Sequence, residues 1–273
     1  VMACGLLACA TEAPKYNPKE FDTANYQKNV DNAVDAADIL KDFDRSKVPA
    51  KPLEVQDLST LVQADLFYNQ GQYISAYPLY KELAFKYKDP RIIYKAIICL
   101  EHVSVTPKQI EELNALVNLF IEIDPNSKLA KLFQIKVALR SNDPVLAKED
   151  LDSLIDKNPK SARAIFLFIS SIVSSDLTAD SQNAVNKFAS LVVDEYANYP
   201  EANLMVSVAY ANTNNLEQLT KELDYIHAHY PNWNIPMYWS LDVLAHNNHL
   251  SEVIKVAEPI LDAQSIPDPI LQN

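Results

Sequence analysis

The sequence predicts an all-α chain built as a row of helix pairs, and three observations carry that prediction. The first is a shortage of glycine: Gly5 and Gly71 are the two glycines in 273 residues, where an average chain of this length would hold about 19. Phosphate-cradling loops, dinucleotide-binding turns and the nucleophile elbow need glycine where the backbone turns to positive φ or closely approaches a ligand. A β-sandwich or barrel would lack its turn residues. The second is punctuation by proline. Asp89-Pro90, Asp124-Pro125, Asn158-Pro159, Tyr199-Pro200, Tyr230-Pro231 and Asp268-Pro269 place prolines 35, 34, 41, 31 and 38 residues apart. Proline cannot continue a preceding helix but can open the next one. The third is helical periodicity, as in Leu113, Leu116, Val117, Phe120 and Ile121, the i, i+3, i+4, i+7, i+8 stripe of a half-buried helix.

Taken in order, residues 61–90 read as helix, turn and helix, with Gly71 in the turn and Ala76 small where the two helices approach. Pro78 falls inside the second helix, where it removes a backbone hydrogen bond and is expected to delay the helix start. Thr106-Pro107-Lys108-Gln109 reads as a capping box with proline at the first helical position, and Asn142-Asp143-Pro144 as a second start. Ala147, Leu151, Leu154 and Ile155 give the next apolar stripe, while Leu113 and Val253 stand where other units have alanine. The 41-residue interval between Pro159 and Pro200 calls for a longer helix or loop around 174–182. Trp233 and Trp239 are expected to pack between the last two pairs. The count is about twelve helices over 56–263, as six pairs.

The ends read differently. Residues 1–10, VMACGLLACA, are too short and interrupted to span a bilayer, and they read as the tail of a signal peptide whose start is missing. Leu6-Leu7-Ala8-Cys9 resembles a bacterial lipobox, which implies lipidation of Cys9; Val1-Met2-Ala3-Cys4 is a poorer match, with Cys4 the other candidate. Ala10 follows where aspartate would imply inner-membrane retention, so the resemblance implies an outer-membrane lipoprotein. Residues 10–55 carry Pro14, Pro18, Pro49 and Pro52 among many charges and read as a mostly disordered tether with at most a short helix over 30–42. The division is therefore 1–9 as a signal remnant, 10–55 as tether and 56–273 as the repeat domain. The chain stops at Asp268–Asn273, where a seventh unit would begin, so a fragment of a longer frame is expected. Cys99, in the run IIYKAIICL, is expected to be a plain core residue.

Composition and motifs narrow the function classes. The net charge is −12, from 24 basic and 36 acidic residues. That balance disfavours nucleic acid as a partner, because phosphate contacts need a basic face. His227 and His229 lie two apart on one helix and so face different directions; His246 and His249 flank a turn; neither spacing matches a zinc pattern. Glu111-Glu112 and Glu149-Asp150-Asp152 could pair for acid chemistry, yet on amphipathic helices they read as solvated faces. No serine sits in an elbow. The expectation is a chain without catalytic residues, metal or cofactor.

The period near 34 with proline at the unit's end, together with Ala64, Phe67, Gly71, Tyr73, Ala76, Tyr80 and Leu83, resembles the tetratricopeptide repeat. That resemblance implies a right-handed superhelix of helix pairs whose first helices line a concave groove. Tyr68, Tyr94, Phe133, Phe166, Tyr210 and Tyr238 fall on those first helices. Some belong to the core; the exposed ones would supply a partner-binding groove. Residues 58–97 further resemble the N-terminal repeats of the outer-membrane lipoprotein that serves a periplasmic carboxyl-terminal processing protease. This implies a non-catalytic, lipid-anchored adaptor on the periplasmic face of the outer membrane, binding the protease and its cell-wall hydrolase substrates. The alternative is an assembly factor for a pilus, a secretin or an outer-membrane protein complex.

Overall fold

The computed structural model describes residues 52–102, 106–157, 161–175, 177–230 and 233–263. Twelve helices account for the regular structure of the described residues, and no strand occurs among them. They are α1 (Val55–Asn69), α2 (Tyr73–Tyr87), α3 (Pro90–Glu101), α4 (Pro107–Ile123), α5 (Lys128–Arg140), α6 (Pro144–Lys157), α7 (Ala162–Val173), α8 (Ala179–Val192), α9 (Pro200–Asn212), α10 (Leu216–His229), α11 (Ile235–His246) and α12 (Leu250–Ala263). Cys4, Cys9, the tether up to residue 51 and Asp268–Asn273 lie outside the described residues. No described helix is long and apolar enough to cross a membrane.

Packing follows chain order. From α1 to α6 each helix lies against the next. From α5 onward the odd-numbered helices also pack in a row, α5 on α7, α7 on α9 and α9 on α11, while α6 packs on α8 and α10 on α12. This is an all-α array of neighbouring helices, consistent with a repeat solenoid.

Helix starts obey the sequence signals. Asp89 caps α3 by accepting from Arg91 N at 2.9 Å. At α4 the Thr106 hydroxyl accepts from Gln109 N at 3.3 Å, and Gln109 Oε1 accepts from Thr106 N at 2.8 Å, completing the box. Asp143 accepts from Leu146 N at 3.0 Å at the start of α6.

Four of the turns inside the pairs share one construction that the sequence reading missed. Gly71, Asn142, Asn214 and Asn248 all have φ between 53° and 72°. The residue after each, Gln72, Asp143, Asn215 and His249, donates its backbone N–H at 2.9 Å to the carbonyl five residues back, of Phe67, Ala138, Tyr210 and Leu244. This is the left-handed helix stop with its six-to-one bond, made four times at the same place in a pair. Asparagine tolerates the left-handed region, which is how the array turns repeatedly with so little glycine. Five residues beyond each turn residue comes the close-approach position of the second helix: Ala76, Ala147, Leu219 and Val253; the first three are completely buried.

Two expectations are corrected. Pro78 does not delay α2, which starts at Tyr73 and runs through it. Pro78 and Ile74 are both exposed, so water can meet the Ile74 carbonyl that the proline leaves without its N–H. The extra length of the 41-residue unit is split between 174–178, as expected, and a second connection at 193–199. In consequence α8 rests on α5, α6 and α9 rather than chiefly on α7.

The core forms two clusters that meet at α5. Leu129, Ala130, Phe133 and Val137 belong to the first; Leu132, Ile135, Ala138 and Leu139 belong to the second. Every residue of α9 is buried. Such helices show no one-sided stripe, which explains why PEANLMVSVAYAN reads in sequence as an unpatterned apolar run. Trp233 is buried in the second cluster and Trp239 packs against it. By contrast α1 leaves Val55, Leu58, Val62 and Leu66 half or more exposed, in a row along one face.

Candidate functional site

The six aromatic candidates sit one on each odd-numbered helix, from Tyr68 on α1 to Tyr238 on α11. The structure divides them. Phe133, Phe166 and Tyr210 are core residues and offer no surface to a partner. Helices α7 and α9 are flanked on both sides by other odd helices, and α5 is covered by α4, α6, α7 and α8, so a ring at the middle of each is enclosed. Phe166 packs on Tyr196 and Tyr199, with centroids 5.2 and 5.6 Å away, and the Tyr210 hydroxyl lies 3.4 Å from Ser190 Oγ. Tyr68 and Tyr94 are half-buried, and Tyr238 is 52% exposed.

A half-buried face joins Tyr94 to Phe168 across the buried Phe133. Tyr94 is 6.2 Å from Phe133, which is 6.3 Å from Phe168. Phe168 was not singled out in the sequence; it stands two residues after Phe166, and the two rings of α7 divide between this face and the interior. The Tyr94 phenol is raised above its ordinary value by burial, then by nearby Tyr68 and Glu101.

A second cluster adjoins Tyr68. The Tyr80 hydroxyl donates to Asp65, and Lys95 Nζ is 2.6 Å from the same carboxylate. Lys95 also stands 5.8 Å above the Tyr68 ring and 5.5 Å above Tyr80, close enough for cation–π attraction. Burial opposes ionisation of Asp65, but the bonds from Lys95 and Tyr80 outweigh it and hold the carboxyl below its ordinary value. Leu53, Leu61 and Ile92 meet Asp65 and Lys95 in a cleft of about 350 Å³ between α1 and α3. An apolar floor with a few convergent polar groups is the composition of a binding surface.

The other candidates resolve as structure. Glu112 is held below its ordinary value first by Lys81 and then by Tyr77, at 2.9 and 2.7 Å, and so ties α4 to α2. Asp152 accepts from the Tyr196 hydroxyl at 2.7 Å and pairs with Lys148 at 2.7 Å. Asp150 is buried beside Lys131 at 3.4 Å, with burial raising its carboxyl. These acids join helices instead of forming the solvated faces expected, whereas Glu111 and Glu149 are exposed. His227 and His229 are exposed, and His229 stacks on Tyr225 at 4.0 Å. No group of three or more His, Cys, Asp or Glu residues among those described could hold a metal. Cys99 is fully buried, and burial pushes its thiol up to about 11, so it stays protonated and unreactive at neutral pH.

Comparison with known proteins adds no relative: no family model, no curated protein and no solved structure matches this chain.

Proposed function

We propose that this chain is a non-catalytic scaffold of the tetratricopeptide type, which holds a polypeptide partner along the face of its odd-numbered helices. One observation carries the reading. The same left-handed turn recurs at Gly71, Asn142, Asn214 and Asn248, at spacings of 71, 72 and 34 residues, that is, two units, two units and one. Each turn folds a second helix back on a first, and from α5 to α11 the first helices lie side by side. The half-buried rings Tyr68, Tyr94 and Phe168 and the cleft by Lys95 lie on those first helices. Rings already held by their neighbours lose little freedom when a partner covers them, which is why aromatics dominate binding surfaces.

The rest of the proposal comes from the sequence. Cys9 carries a lipid, and the repeat domain stands on a polar tether at the periplasmic face of the outer membrane. The partner is a carboxyl-terminal processing protease, brought together there with cell-wall hydrolases as its substrates. The test is purification of the tagged, lipidated protein from detergent-solubilised envelopes, with mass spectrometry of what accompanies it. A periplasmic processing protease that is lost on Tyr68→Ala with Tyr94→Ala supports the adaptor. Pilus, secretin or barrel-assembly components without a protease would replace it by the assembly factor.

A further inference from the structure

The N-terminal rim of the array carries an apolar face that no described helix covers. On α1, Val55, Leu58, Val62 and Leu66 are 88, 51, 61 and 55% exposed. Steps of three and four residues put them on one face. The two buried residues of the helix, Asp57 and Ala64, lie half a turn away, on the side that meets α2. The row leaves roughly 400 Å² of apolar surface open, about half of what one partner contributes to a stable dimer. One amphipathic helix is enough to cover it. Solenoids close such a rim with a unit that is apolar inside and polar outside.

The chain supplies a segment with that pattern just ahead of α1. Residues 19–48 contain no glycine and no proline. Within them Tyr26, Val30, Ala33, Ala37 and Leu40 fall at i, i+4, i+7, i+11 and i+14, one stripe of a 3.6-residue period. Asp31, Asp35, Asp38 and Asp42 repeat the same steps five residues on, so the four carboxylates gather nearly opposite the stripe. These residues lie outside the described ones. We propose that residues 26–42 are a helix that caps the N-terminal rim, its apolar stripe laid on the open row of α1. Alanine at 33 and 37 lets the two axes approach to about 8–10 Å. Residues 43–54 join the cap to α1 and reach about 40 Å. The whole of α1 is about 22 Å long, so the linker permits the contact in either direction. The aspartates face water, as the outer side of a terminal unit must. The short helix that the sequence allows at 30–42 thereby belongs to the array and not to the tether. The cap needs neither the lipid nor the partner proposed above.

The test is hydrogen exchange of the full chain, read by mass spectrometry at two protein concentrations. In the parent, the amides of 26–42 should exchange slowly as a block. Ala33→Glu with Ala37→Glu puts charge into the stripe at little cost in helix propensity. That variant should release the block and speed exchange across 55–69 about tenfold, leaving α7 to α12 unchanged. Val62→Glu, on a side chain already 61% exposed, should release 26–42 from the other side of the contact. Asp35→Asn with Asp38→Asn, on the outer face, should change neither segment. The cap adds one neighbour to a rim helix, so α1 still opens before the other described helices, but later than it would bare. Rapid exchange of 26–42 in the parent overturns the cap. Protection of 26–42 that survives Val62→Glu puts the segment elsewhere and overturns it too. Protection of 55–69 that grows with concentration, together with a dimer in sedimentation, gives the face to a second copy instead.

Discussion

Glu222 offers the sharpest test of how this array is held together. Its side chain lies on α10, is 5% exposed, and has Oε1 without a hydrogen-bond partner among the described residues. Burial, then the charge of Asp194, pushes its carboxyl from 4.5 up to about 8. Tyr210 and Tyr225 also face it, and neither can supply a positive charge. The folded chain therefore keeps this proton at neutral pH while the unfolded chain releases it. A raised carboxyl contributes stability that is fully present below about 4.5 and is lost as pH rises through about 8. At about 1.4 kcal/mol per pH unit across that window, the loss amounts to about 3–5 kcal/mol. Glu222→Gln keeps the shape and cannot ionise. Urea unfolding followed by circular dichroism at pH 5 and pH 9 should show the variant within about 1 kcal/mol of the parent at pH 5. At pH 9 it should be more stable by about 3–5 kcal/mol. Every other titrating group cancels in the difference between the two proteins. Stability curves that run parallel from pH 5 to pH 9 would refute the claim that a neutral acid is buried here.

Three further outcomes follow from the packing. Phe166→Ala should destabilise the chain by about 3–5 kcal/mol in the same urea assay, whereas Tyr238→Ala, at an exposed ring, should change it by less than about 0.5 kcal/mol. Asn212 bonds Val173 O at 2.7 Å and Ser175 O at 2.9 Å, and accepts from Asn247 Nδ2 at 2.7 Å. Asn212→Ala strands those partners between α7, α9 and α11, so a loss of about 2–4 kcal/mol is expected. At Gly71 a new Cβ would meet no atom within 4 Å, but φ is +72°. Gly71→Ala should therefore cost about 1 kcal/mol, and Gly71→Asn markedly less, since three sister turns already use asparagine.

The parts of the fold legible in the sequence were those written in local backbone chemistry. Pro90 and Pro107 open helices because the first helical residue needs no N–H, and Thr106 with Gln109 close a box across three residues. The turns within pairs were legible too, but the reading looked for glycine at the turns, and asparagine at 142, 214 and 248 performed its task. Pro78 misled because the penalty for proline inside a helix falls when the freed carbonyl faces water. The site was less legible for a geometric reason. Phe166 and Phe168 are equivalent as letters, and which one turns inward depends on Tyr196 and Tyr199 arriving from the long connection after α8. The pairing of Glu101 with Lys136 likewise spans 35 residues and appears only when α3 and α5 lie close. Burial of Phe133 and Tyr210 came from the neighbours on both sides, which no single helix announces.

The double membership of α5 bears on the order in which the molecule opens. A helix whose residues are divided between two apolar clusters cannot unwind without exposing both, so its amides should be the last to exchange with heavy water. The flanks are bound on one side alone, and α1, with Val55, Leu58, Val62 and Leu66 facing outward, should fray first. Opening would then proceed inward from the rims toward 128–140. A ligand seated on Tyr94 and Phe168 would bridge that central segment, and its binding would be felt as slower exchange in both halves of the chain.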